Sequence, residues 1–151
     1  MKHQTDKAGV EILKERLPRI SVVEKYGFEY QGVVASAATR SLPETYEFNF
    51  RKDDLSLEIG YVPNPVCIGA FVIEVYKAGQ VESLNFAQWL KKQGSESWLE
   101  KFRLSNYSGD LEVKIDSFLA FLGSLFDSPE IKMVLQGDSW SDTPFDWGPN
   151  R

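Results

Sequence analysis

Three glutamates, Glu47, Glu58 and Glu74, are the residues best placed to act together chemically in this sequence. Each falls within a run of alternating apolar residues that reads as a β-strand. Paired carboxylates could in principle do acid–base work, but a sheet face with no predicted cleft is a poor place for it, and a basic partner is the better match. Nucleophilic chemistry has far less to work with. His3 is the single histidine, next to the N-terminus where order is least, and Cys67 is the single cysteine. A Ser-His-Asp or Cys-His site therefore lacks its base. Cys67, between Pro65 and Gly69, reads as a small buried apolar residue. There is no P-loop and no Gly-x-Gly-x-x-Gly to cradle a phosphate. Asp138, Asp142 and Asp146 recur every four residues, but a calcium loop needs tighter ligand spacing and a turn glycine. The sequence predicts no catalytic residue, no metal and no cofactor.

The strands must place the three glutamates. Tyr46, Phe48 and Phe50 alternate with Glu47, Asn49 and Arg51; Leu55, Leu57, Ile59 and Tyr61 alternate with Ser56, Glu58 and Gly60. Phe71, Ile73 and Val75 alternate with Val72, Glu74 and Tyr76. This period of two is the habit of an antiparallel sheet with one buried face and one wetter face. A four-residue turn over 51–54 sets Phe50 opposite Leu55 and Phe48 opposite Leu57, which puts Glu47 opposite Glu58. Pairing Ile59 with Ile73 then sets Glu74 opposite Glu58. The expectation is a row Glu47–Glu58–Glu74 across the non-core face, with Asp53 and Asp54 at the turn, forming an acidic docking face. The competing expectation is that Arg51, Lys77 or a helix lysine neutralises the row and leaves a merely solvated face. Like charges opposite one another destabilise a sheet by a few tenths of a kcal/mol or so, so their placement calls for a reason.

Helices flank the strands. The first is expected to begin at Thr5 or Asp6 and end before Pro18, with Val10, Leu13 and Leu17 on one face and Gly9 as a weak point. Ser21 to Glu24 has capping-box form and Gly27 suits a helix end, giving a second short helix before a strand over 28–35 weakened by Gly32. Pro63 and Pro65 mark a loop. Asn85 with Gln88, Ser97 with Glu100, and Asp110 have the spacing of helix starts; Ser128-Pro129-Glu130 opens a last helix that Gly137 closes. Trp89 and Trp98 are expected in the core. The class is α+β: an antiparallel sheet of three to five strands with N-terminal and C-terminal helices packed on one face. Residues 1–137 make a single domain, and 138–151 an acidic aromatic tail, packed back or partly mobile, whose Trp140, Phe145 and Trp147 either pack on the domain, the favoured reading, or anchor a partner.

At 151 residues and with 42% apolar composition the chain can bury one real core. No apolar run approaches the ~20 residues that span a bilayer, and no signal-peptide pattern opens the sequence, so the expected location is the cytoplasm. The net charge is −5. It is concentrated in residues 41–76, where Glu44, Glu47, Asp53, Asp54, Glu58 and Glu74 outnumber Arg51 and Lys52. An acidic chain with no basic stripe is a poor nucleic-acid binder and attracts a basic partner instead.

The block Tyr46-Glu47-Phe48-Asn49-Phe50-Arg51-Lys52-Asp53-Asp54-Leu55, preceded by an opening helix and Lys25-Tyr26-Gly27-Phe28, resembles bacterial immunity proteins. These accompany the polymorphic toxins of contact-dependent and type VI secretion systems. The resemblance spans the style of residues 5–135 and assigns no functional residue. It implies a cytoplasmic protein that binds and neutralises one cognate toxin without turnover or cofactor, and the acidic surface would suit a basic toxin domain as partner. Independently of the resemblance, the expectation is no membrane association and a monomer or homodimer. The alternative is a small-ligand-binding or enzymatic domain with a pocket between sheet and helices.

Overall fold

The computed structural model describes residues 2–37, 40, 44–63, 69–138 and 140, with backbone alone at 2–7, 21 and 96. The chain is α+β, built on a five-stranded antiparallel sheet in the simple order β1-β2-β3-β4-β5. The strands are β1 (Glu29–Ser36), β2 (Thr45–Lys52), β3 (Leu55–Val62), β4 (Ala70–Lys77) and β5 (Leu84–Asn85). The helices are α1 (Lys2–Arg16), α2 (Ser21–Tyr26), α3 (Phe86–Lys92), α4 (Leu111–Phe126) and α5 (Pro129–Leu135). Short 3₁₀ turns at Leu17–Arg19, Glu96–Phe102 and Leu104–Asn106 join them. The two-residue β5 carries no alternation, and the sequence did not reveal it.

The period of two decides which side of the sheet the helices cover. Phe48, Phe50, Leu57, Ile59, Ile73 and Val75 project from three strands into one core and are almost fully buried. Helix α4 crosses that layer, burying Ile115, Phe118, Leu122, Leu125 and Phe126. Phe118 stacks on Phe71 of β4 with ring centroids 3.8 Å apart. Burying each of these large side chains contributes about 1.5–3 kcal/mol. Polar contacts then fix the layer. Asp127, just past α4, accepts from Tyr26 Oη at 2.6 Å and from Lys25 Nζ at 2.8 Å, joining α2 to α4. Lys52 Nζ donates to the Leu135 carbonyl at 3.0 Å, placing a positive charge at the negative end of α5.

Local signals held at several termini. Asn85 Oδ1 caps α3 by accepting from Gln88 N, and Asp110 Oδ1 caps α4 by accepting from Val113 N, both at 3.0 Å. Gly27 closes α2 in the left-handed conformation, φ 77°. Others differ. Helix α1 starts at Lys2, ahead of the expected Thr5 or Asp6. The N-cap of α2 is Ile20, so Ser21 already lies inside the first turn and the expected capping box is not formed. Gly32 does not end β1; it takes φ 115° at a register irregularity between Tyr30 and Gly32, so one extra residue is accommodated as a bulge.

Trp89 is buried as expected, whereas Trp98 is 44% exposed. The three-residue repeat of a 3₁₀ turn sends Leu99 and Phe102 inward and leaves Trp98 outside, edge-on to Phe121 with Lys101 Nζ 5.6 Å from its ring centroid. Trp140 packs back against the core. Phe145, Trp147 and Cys67 lie outside the described residues, as does the side chain of His3.

Gly9 has a specific role. A Cβ at this position would run into the hydroxyl of Tyr61, which is 2% exposed at the end of β3. The absent side chain lets α1 lie directly on the sheet. Gly9→Ala should therefore destabilise the protein by roughly 1–3 kcal/mol through overpacking, opposite in sign to the ~1 kcal/mol gain of a Gly→Ala change at an exposed helix site. Urea denaturation of Gly9→Ala, Tyr61→Phe and the double variant checks this. The expected cycle shows a smaller penalty for alanine once the hydroxyl is gone.

Candidate functional site

Alternation sends the other half of each strand to the face that none of the described helices covers. Two rows of paired residues define it. One runs Val34–Glu47–Gly60–Val72 across β1 to β4; the next runs Gly32–Asn49–Glu58–Glu74–Asn85 across all five strands. Val34 is 57% exposed and Val72 48%. Gly60, between Glu47 and Val72, carries no side chain, and the surface dips there into a concavity of about 240 Å³ lined by Thr45, Glu47, Glu58, Gly60, Val62, Val72 and Glu74.

The expected pairing of β3 with β4 is present: Ile59 faces Ile73 and Glu58 faces Glu74. The β2–β3 pairing is corrected. Phe50 lies opposite Leu57 rather than Leu55, and Phe48 opposite Ile59 rather than Leu57. The cause is the turn. Lys52 and Leu55 still pair, so only Asp53 and Asp54 form the connection, and Asp53 adopts φ 52°, a conformation aspartate tolerates better than most residues. A shift of two residues preserves which face each side chain occupies. Glu47 thus remains on the open face but stands diagonal to Glu58, whose direct partner on β2 is Asn49.

The structure brings Glu47, Glu58 and Glu74 to one concavity and leaves Asp53 and Asp54 apart from them. The turn lies four residues from Glu58 along β3, about 13 Å away at strand spacing. Asp53 lines a separate, mixed-charge groove with Glu29, Arg51 and Lys52. Among the described residues no lysine or arginine pairs with any of the three glutamates. Arg51 sits opposite Ser56 at the outer diagonal, and Lys77 pairs with Leu55 on the core side, so neither neutralises the cluster.

Each carboxyl is held differently. Glu74 accepts from Tyr76 Oη at 3.1 Å on one oxygen and from Ser83 Oγ at 2.7 Å on the other. Burial, then the neighbouring Glu74, raises the Tyr76 phenol above its ordinary range. Glu58 is pushed up to about 7, first by burial, then by the charge of Glu47, a hydrogen bond with Glu47 and the charge of Glu74. Near neutral pH, Glu58 is therefore divided between carboxylic acid and carboxylate, and as the acid it donates to Glu47. This arrangement can release one proton and can receive a cation. Gly60 and Ser83 were not singled out by sequence. A glycine inside an alternating strand marks close approach or missing bulk and was a usable signal; Ser83 sits in an irregular segment and carried none. No group of ligating side chains suited to a metal occurs among the described residues. No family model, curated protein or solved structure matches this chain.

The raised Glu58 has a consequence for stability. The folded state binds this proton more tightly than the unfolded chain, whose carboxyl has the ordinary value of 4.5. The stability it confers is full below about 4.5 and declines as pH rises to about 7. Glu58→Gln keeps the shape of the acid without its charge. It should leave stability unchanged at pH 4 and raise it at pH 8 by on the order of 1 kcal/mol, once solvent screening of this partly exposed group is allowed for, with a correspondingly higher melting temperature. Thermal denaturation of both proteins at the two pH values measures the difference.

Proposed function

We propose that this chain is a non-catalytic protein-binding domain of the immunity type, which binds and neutralises a cognate toxin in the cytoplasm, and that a basic surface of that partner docks on the open sheet face. One observation carries the reading: three carboxylates converge on a sheet face that no described helix covers, with no lysine or arginine partner among the described residues, beside two exposed valines. An apolar rim with unneutralised charge at its centre suits a partner whose lysines and arginines supply both stem and charge. Asp53 and Asp54 extend the negative potential to the sheet end and assist encounter rather than contact.

A small-ligand domain would use a cavity between sheet and helices. That layer is filled by Phe48, Phe50, Ile59, Phe71 and Phe118, and a concavity of about 600 Å³ lies instead as an open groove on the helix side between Arg16, Arg19, Leu119 and Gly123. No helix among the described residues is long and apolar enough to cross a membrane, which agrees with a partner met in solution.

The test begins with capture of a stoichiometric partner from the source lysate and proceeds only with one that is basic and toxic when expressed alone. Charge reversal of Glu47→Lys, Glu58→Lys and Glu74→Lys together should slow its association at least about tenfold at low salt, with the difference shrinking as salt rises. Stopped-flow association rates that match the wild-type protein would remove the open face from the account.

A further inference from the structure

We infer that the open face exchanges a proton for its cationic partner: Glu58 is partly protonated while the face is empty and gives up that proton when an arginine or lysine side chain settles over Gly60, so docking strengthens as pH rises towards neutrality. This rests on the docking reading above and specifies the chemistry of the group that docks.

The surroundings of Glu58 dictate the exchange. From β2 it is met by Glu47 on one diagonal and Arg51 on the other, with neutral Asn49 directly opposite. From β4 it is met by Glu74 directly and by Tyr76 on the diagonal; beyond them β5 contributes only neutral Asn85. Both oxygens of Glu74 already accept a hydroxyl hydrogen, from Tyr76 and from Ser83. Glu47 is the neighbouring carboxylate that takes the Glu58 hydrogen bond, whereas Glu74 acts on Glu58 through its charge, so Glu58 and Glu47 share one negative charge. Full ionisation would set three like charges around a single glycine. A cation over Gly60 reverses that balance, because it is surrounded by all three carboxyls at once. Val62 and Val72 in the same concavity give its methylene stem apolar surface. The Glu58 O–H bond breaks, the proton passes to solvent, and an ion pair replaces the acid–carboxylate hydrogen bond. The value of about 7 for Glu58 without a partner puts the change within the physiological range.

An acetylated, amidated tetra-arginine peptide serves as probe, since its charge is fixed between pH 6 and 8.5. Its affinity for the whole chain is measured by calorimetry at both pH values in low salt, alongside a carboxyl-carbon NMR titration of Glu58 with and without peptide. The expected result is a Glu58 midpoint near 7 that falls on saturation, with affinity gaining by up to about tenfold per pH unit below that midpoint. Glu58→Gln, which retains His3 and every other titrating group, should lose the pH dependence while still binding through Glu47 and Glu74. Equal affinity at both pH values, or a Glu58 midpoint in the ordinary glutamate range, would overturn the proton exchange and leave the docking reading standing. A peptide that perturbs none of Glu47, Glu58 and Glu74 at either pH would remove both.

Discussion

One-sided burial of the sheet is the constraint on which everything else in this molecule depends. Helices α1 to α5 all lie on the face that carries Phe48, Phe50, Leu57, Ile59 and Val75, and the order β1-β2-β3-β4-β5 gives neighbouring strands short antiparallel connections. Once that face is committed to the core, strand geometry forces the alternate residues outward without further choice. Glu47, Glu58 and Glu74 come together because each stands one residue away from a side chain that must be inside. The grouping follows from core packing, yet the identity of the grouped residues does not: threonine or lysine at those positions would fold as well or better.

One-sided burial also sets how much of the fold was legible in the sequence. The alternation in β2, β3 and β4 was legible because aromatic and branched residues fill every second position, and parity survives any even shift of register. The exact pairing was not, since it depends on a turn of two residues rather than four, and Arg51-Lys52-Asp53-Asp54 is polar enough for either. The ability of Asp53 to adopt a positive φ decides the matter, and composition does not announce it. Helix starts with a side-chain cap, at Asn85 and Asp110, were visible for the same local reason. At α2 the cap rests on the backbone of Ile20, which leaves no mark in the sequence. Trp98 was misplaced because a helical period was assumed where the chain takes the tighter 3₁₀ repeat.

The site itself was half legible. Same-face carboxylates could be named; the dip that turns them into a concavity could not, because it depends on Gly60 standing between Glu47 and Val72 in the realised register. The shift to a two-residue turn is what places Gly60 there. Under the four-residue register Glu47 would have sat against Glu58 with no gap beside them, and the face would have been flatter and more repulsive.

The energetics of the cluster tie its stability to its availability. Like charges opposite one another cost a sheet up to about 1 kcal/mol, and a lysine or arginine across the strand would relieve this. Here the relief comes from protonation of Glu58, which removes one charge and adds a hydrogen bond to Glu47. The two remedies differ in what they leave exposed. An internal lysine would cap the carboxylates and compete with any incoming cation, whereas a proton occupies no space over Gly60 and departs to solvent when a better partner arrives. Tyr76 and Ser83 complete the arrangement by fixing Glu74 through neutral hydroxyls rather than through a cation. The face thereby stays folded with no cation of the described residues bound to its carboxyls, the condition that the proposed docking requires.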